Sequence, residues 1–156
     1  MSLAYLASSR SADPRTKVGA VVVFDDDSYV SGYNGCPRGF ADSILSTPDK
    51  HLAVIHAEAN ALSYAGLEKC LAQKKLKLYV TFKPCPLCAL KLVQHNIKEV
   101  IYHTVYQSTV NDDRILDTIR HNGLRRGNVF RRCRFKLRQY HGPLLFSHSH
   151  CGINSK

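Results

Sequence analysis

Lys77-Leu78-Tyr79-Val80-Thr81-Phe82 runs straight into Lys83-Pro84-Cys85-Pro86-Leu87-Cys88. The first six residues are rich in aliphatic, aromatic and β-branched side chains and read as a strand. Pro84 and Pro86 bracket Cys85 and open a helix that reaches about Asn96. Proline suits a first helical turn, where its missing N–H would have had no partner. Lys98 to His103 (Lys-Glu-Val-Ile-Tyr-His) is the next strand.

Upstream, Lys17 to Phe24 (Lys-Val-Gly-Ala-Val-Val-Val-Phe) is a β-branched run and reads as a buried strand. Asp25-Asp26-Asp27 turns the chain, and Ser28 to Tyr33 returns as the second strand of a hairpin. Asn34-Gly35-Cys36-Pro37-Arg38-Gly39 is a loop. A helix is expected from about Ile55 to Ala65, stopped by Gly66. Ser2 to about Arg10 reads as a short amphipathic helix with Leu3, Leu6 and Ala7 on one side. Downstream, Asp112 to His121 reads as a helix and Asn128 to about Arg138 as a last strand. In that strand Cys133, Phe135 and Leu137 alternate with charge. A hairpin followed by helix–strand units implies a layered α/β sandwich with a mixed sheet. Expected core residues include Tyr5, Leu6, Val21, Val23, Leu62, Leu78, Val80, Leu92, Val100 and Ile101. The domain is expected over 1–140, and 141–156 reads as a tail of little order.

At 156 residues the chain has the length of one domain, with 44% hydrophobic and 22% charged residues. No apolar segment approaches bilayer-spanning length, and the N-terminal residues lack the basic flank and apolar run of a secretory signal. The expectation is a cytoplasmic protein with no membrane partner. The net charge is +10. Residues 1–123 hold 14 Lys and Arg against all 12 Asp and Glu, whereas 124–156 hold 8 Lys and Arg and no acid. The basic character therefore belongs to the C-terminal stretch, which argues against a nucleic-acid surface on the main domain.

Chemistry concentrates in His56-Ala57-Glu58 and Cys85-Pro86-Leu87-Cys88. One imidazole and two thiolates can hold Zn²⁺ and leave its fourth position open, as a catalytic site requires. Glu58 is then a carboxylate set apart from the ligands and free to carry a proton. In an ideal helix, positions 56 and 58 point about 200° apart. Both can face one ion only from an irregular first turn. Thiolate ligands must stay reduced, which fits a reducing compartment better than a disulfide framework. Two other readings stand beside this one. Cys85 and Cys88 alone would make a redox pair, and a structural zinc would need a fourth ligand, for which Cys36 and Cys70 are the candidates.

The His-x-Glu…Pro-Cys-x-x-Cys pattern is the signature of zinc-dependent nucleobase deaminases. Together with Ser11-Ala12-Asp13-Pro14-Arg15-Thr16-Lys17-Val18-Gly19-Ala20 and Gly32-Tyr33-Asn34-Gly35-Cys36-Pro37-Arg38-Gly39, it resembles the deoxycytidylate (dCMP) deaminases of the cytidine deaminase superfamily. The likeness covers residues 3 to about 123. It implies a three-layer α/β/α sandwich with a mixed five-stranded sheet, and deamination of dCMP to dUMP. It implies one catalytic zinc on His56, Cys85 and Cys88, with Glu58 as proton shuttle. It also implies that Asn34 contacts the sugar and Asn60 supports the site, with Arg15, Lys17 and Arg38 as candidates for the phosphate. A homo-oligomer, often a hexamer, and dCTP and dTTP effectors with Mg²⁺ follow from the same resemblance. Two other functions compete: a deaminase of tRNA or single-stranded DNA that uses the basic stretch, and a non-catalytic nucleic-acid module with a structural zinc. The near-neutral charge of residues 1–123 disfavours the first, and the second needs a fourth ligand.

Overall fold

The computed structural model describes residues 1–48, 50–105 and 135–145. The β-branched runs pair into one five-stranded sheet of order β2-β1-β3-β4-β5. Strands β1 (Gly19–Val23) and β2 (Tyr29–Tyr33) form an antiparallel hairpin across the aspartate turn. There Asp27 takes φ 62°, and Asp26 accepts both the Ser28 N–H and its hydroxyl. Strand β3 (Lys77–Phe82) pairs antiparallel with β1, while β4 (Glu99–Thr104) and β5 (Lys136–Gln139) follow in parallel. The helices are α1 (Ser2–Ser8), α2 (Lys50–Ala53), α3 (Ala57–Ala65), α4 (Leu67–Leu71) and α5 (Pro86–Gln94).

Strand alternation sorts these side chains into two faces. Ala20, Val22, Leu78, Val80 and Val100 share one core with Ala57, Ala61 and Leu62 of α3 and Ala89 and Leu92 of α5. Each fully buried Leu or Val there contributes about 1.5–3 kcal/mol relative to exposure. Phe135 joins this core and Leu137 packs on it. On the opposite face α1 lies against β1. The sheet is thus mixed and layered between helices, the class the sequence implies.

Several local expectations change. Helix α1 turns Ala4, Tyr5, Ala7 and Ser8 inward, and leaves Leu3 and Leu6 exposed. A Cβ on Gly19 would stand 1.9 Å from the Ala4 carbonyl oxygen. The helix backbone therefore rests on the strand, and only small side chains fit between. Helix α3 begins at Ala57 because Ile55 is held extended by a two-bond bridge to Gly35. Gly66, at φ 77°, ends α3 as expected, but the chain turns there into the short unanticipated helix α4. A 3₁₀ turn over Asp42–Ser46 and helix α2 also give the 40–53 stretch structure that no apolar period announces. Val23 is half-buried at the end of its strand. Beyond β5, residues 141–145 form neither helix nor strand; the Leu145 N–H donates to Ser2 Oγ at 3.0 Å. The expected helix over 112–121, the stretch 128–134 with Cys133, and the chain after 145 lie outside the described residues.

Candidate active site

His56 stands just before α3 with extended backbone, φ −68° and ψ 150°, while Glu58 is already in the first helical turn. This break in geometry removes the 200° conflict of an ideal helix. Cys85 occupies the corresponding place before α5, with φ −72° and ψ 164°, and its Sγ accepts the Cys88 N–H at 3.4 Å. Pro86 follows at the first helical position, where no N–H is needed. Two helix N-termini, each bearing the partial positive charge of unpaired N–H groups, thus meet at one end of the sheet.

His56 Nδ1 lies 3.6 Å from Cys85 Sγ and 3.4 Å from Cys88 Sγ. Tetrahedral zinc with ordinary bond lengths would set these N···S separations at about 3.6 Å. All three ligand atoms fall within 4.8 Å of one another, and among the described residues they form the one such group of three. Burial grades from Cys88, buried, through Cys85 to an exposed His56. Neither candidate fourth ligand joins them. Cys70 is buried in the core cluster through α4, and Cys36 Sγ contacts the Ala41 carbonyl at 3.7 Å. Among the described residues the donor set therefore fits a tetrahedral ion with one position left for a small molecule.

The two thiols do not titrate alike. Cys85 is lowered to about 4, first by the hydrogen bond from the Cys88 thiol and also by His56, against the cost of burial. Cys88 is pushed up, first by the hydrogen bond its thiol makes to Cys85 and then by burial and the nearby Glu58. Glu58 is 4% exposed. Burial raises its carboxyl above the ordinary range, while the His56 charge and a Cys88 hydrogen bond pull the other way. A carboxyl moved upward is better matched to taking and returning protons near neutral pH.

Around this centre, Asn34 is buried at the end of β2. Its Oδ1 accepts the Val18 N–H at 2.7 Å and its Nδ2 donates to the Thr16 carbonyl at 2.9 Å. Asn60 donates to the Tyr33 carbonyl at 2.8 Å and so ties α3 to the strand that carries Asn34. Arg15, exposed, and Lys17, half-buried, flank Thr16 on the loop that Asn34 holds. Arg38 is exposed in the turn after Gly35. The structure thus joins His56, Glu58, Cys85 and Cys88 directly, and puts the three basic residues on loops anchored at or next to Asn34.

Sequence reasoning missed an ion pair beside these loops. Buried Asp13 accepts the Arg15 and Thr16 N–H groups on Oδ1, and Lys50 Nζ reaches both its oxygens at 2.9 and 2.8 Å. Burial opposes the charge, but Lys50 and the two N–H groups prevail and hold the carboxyl below its ordinary range. Asp13 before Pro14 carries the signal of an Asx turn. Nothing local marks Lys50 as its partner.

Comparison with known proteins agrees with this geometry. Residues 1–104 match the family described as the cytidine and deoxycytidylate deaminase zinc-binding region. A probable deoxycytidylate deaminase of Caenorhabditis elegans is 38% identical over 109 residues, covering 65% of this chain and 54% of the relative. The deoxycytidylate deaminase of Homo sapiens is 36% identical over 111 residues, 65% of this chain and 61% of the relative. The chain thus spans little more than half the length of these relatives. Among solved structures, the dCMP deaminase of cyanophage S-TIM5 in complex with dCMP and dUMP superposes with a TM-score of 0.56. That pair shares 28% identity over 88% of this chain and 91% of the other.

Proposed function

The chain belongs to the cytidine and deoxycytidylate deaminase zinc-binding family, and from that premise we propose that it hydrolyses dCMP to dUMP and ammonia. The observation that carries the reading is the buried Glu58 beside a three-ligand group that finds no fourth protein ligand among the described residues. His56, Cys85 and Cys88 would hold one zinc ion per chain, whose Lewis acidity brings the ionisation of water near neutral pH.

Glu58 takes the proton from the attacking water and places it on the ring nitrogen next to the amino-bearing carbon. It then takes the second proton, from the hydroxyl now on that carbon, and delivers it to the amine as the C–N bond breaks and the carbonyl forms. The products are ammonia and the uracil ring, and Glu58 ends as it began. Such proton transfer contributes roughly 10²–10⁴-fold. Asn34 retains one N–H and one lone pair beyond its two loop bonds, enough to meet a sugar hydroxyl. Asn60 keeps the Asn34 strand in place. Arg15, Lys17 and Arg38 are assigned to the phosphate. Charge-assisted bonds contribute roughly 1.5–3 kcal/mol each, so two of them favour the monophosphate over the nucleoside by about 10²-fold or more.

The S-TIM5 protein bound to dCMP and dUMP supports this substrate, and dUMP so formed would feed dTMP synthesis. Residues 1–140 are assigned to the catalytic domain and 141–156 to a tail. A cytoplasmic location rests on the reduced thiols the site needs; among the described residues no helix is long and apolar enough to cross a membrane. Assembly as a homo-oligomer or hexamer, and control by dCTP or dTTP with Mg²⁺, rest on the family resemblance alone. The reading is tested by offering dCMP, CMP, deoxycytidine, dCTP and single-stranded DNA to the zinc-loaded protein. Fastest turnover of dCMP is expected; equal efficiency on deoxycytidine, or preference for the oligonucleotide, would overturn it.

A further inference from the structure

Two loops flank the Asn34 strand end, and both are tied to it. The first, 11–18, is bound at three points: Ser11 Oγ donates to the Asn34 carbonyl, and the Asn34 amide joins Thr16 and Val18. The second leaves Gly35 and returns at Ile55, one residue before the ligand His56. Paired bonds between Gly35 and Ile55 close its base, and Leu45, 1% exposed, pins its middle. Between the loops stands the Asp13–Lys50 pair, with side chains 3% and 22% exposed.

We propose that Lys50 is a positioning residue: through Asp13 it latches the 36–55 loop to the 11–18 loop and thereby sets how tightly the site binds its nucleotide. The proposal rests on the dCMP reading for the identity of that nucleotide. Its physical basis is the doubly bonded ammonium. Asp13 Oδ1 already shapes the turn through Arg15 and Thr16, so Lys50 grips the part of the loop that presents Arg15 and Lys17. The helix that carries Lys50, α2, leads within two residues into Ile55 and then His56. Taking Lys50 away leaves a nearly buried carboxylate without its counter-charge, and the ion pair that joins the two loops is lost. Asp13→Asn keeps an Oδ1 for the turn but removes the charge that Lys50 meets.

The test uses the full zinc-loaded chain and the variants Lys50→Met, Asp13→Asn, Lys50→Arg and the Met/Asn double. Lys50→Met and Asp13→Asn should each raise KM for dCMP about tenfold and leave kcat within about twofold. The double should be no worse than either single, since partners in one contact do not add. Lys50→Arg, which preserves the charge, should restore most of the binding. A readout independent of turnover is tryptic cleavage after the exposed Arg38, followed by mass spectrometry. Cleavage should speed about fivefold or more in Lys50→Met and Asp13→Asn, and stay near wild type in Lys50→Arg. Wild-type cleavage and KM in Lys50→Met overturn the latch, as do additive effects in the double or loss of fold or zinc in Lys50→Met. If the wild-type protein leaves dCMP untouched, the dCMP reading fails by itself, and the cleavage rates still decide the latch.

Discussion

At position 58 one carboxylate is 4% exposed, and its pKa is raised by that burial. A glutamine there keeps the size and the hydrogen-bonding shape but cannot carry a proton. Glu58→Gln should therefore lower kcat for dCMP by about 10²-fold or more while elemental analysis still finds one zinc per chain. Loss of metal in this variant would make Glu58 a ligand or a structural prop. The residues of this centre were legible because their separations, two along the chain for His56 and Glu58 and three for the cysteines, are fixed covalently. The open question was geometric, and the extended backbone at His56 answers it. Asp13 and Lys50 were not legible as a pair, since 37 residues separate them and surface lysines have no sequence mark that names their partner.

At the scale of elements, the site depends on how closely α3 lies on β2. A Cβ on Gly32 would stand 2.4 Å from the Ala61 nitrogen and 2.6 Å from the Ala57 carbonyl oxygen. Both obstacles are backbone, which cannot rotate aside, so Gly32→Ala must shift the helix that begins beside His56. We expect a loss of about 1–3 kcal/mol in denaturant melts, together with weaker zinc retention on dialysis. A variant with unchanged stability and metal content would show that the helix has room to move. Strands β1 to β4 were read within a residue or two, because alternation and β-branching act locally; the last, expected from Asn128, is described as strand only over Lys136–Gln139. In helix α1 Tyr5 is core as expected, but Leu6 is not. Amphipathic reasoning assumes that large apolar groups seek the core, whereas here Gly19 admits the helix backbone and leaves Leu3 and Leu6 outside.

For the whole molecule, β5 completes the sheet rather than decorating it. Phe135 is 8% exposed in the main core, and Val100 and Tyr102 of β4 pair with Leu137 and Gln139. A chain shortened to residue 127 loses that packing, a change of at least about 3 kcal/mol for the phenylalanine alone. Its melting temperature should fall by about 10 °C or more in a thermal scan. A chain ending at residue 145 keeps β5 and the Leu145–Ser2 bond and should melt within about 2 °C of full length. The reverse order of stability would remove β5 from the domain. The sheet class was legible from the sequence of apolar runs. The neighbour order β2-β1-β3 was not, because it depends on which distant strands meet rather than on any one of them.

That neighbour order has a kinetic consequence. The β1–β2 hairpin with α3 comes from residues 19–65, and the β3–α5–β4 unit from 77–104. Each half can form from contacts close in sequence, but the seam between them pairs Val23 with Lys77, 54 positions apart. Such distant pairing is slow to find. His56 belongs to one half and Cys85 and Cys88 to the other, so an ion held by all three crosses the seam like a clasp. An interaction made after the folding barrier slows escape from the native state and leaves the approach to it unchanged. Stripping the zinc with a chelator should therefore raise the stopped-flow unfolding rate about tenfold or more while refolding stays within about twofold. A slowed refolding limb with unchanged unfolding would instead mean that the metal assembles the seam. On the expected result, the lifetime of the native state depends on the same three side chains as turnover.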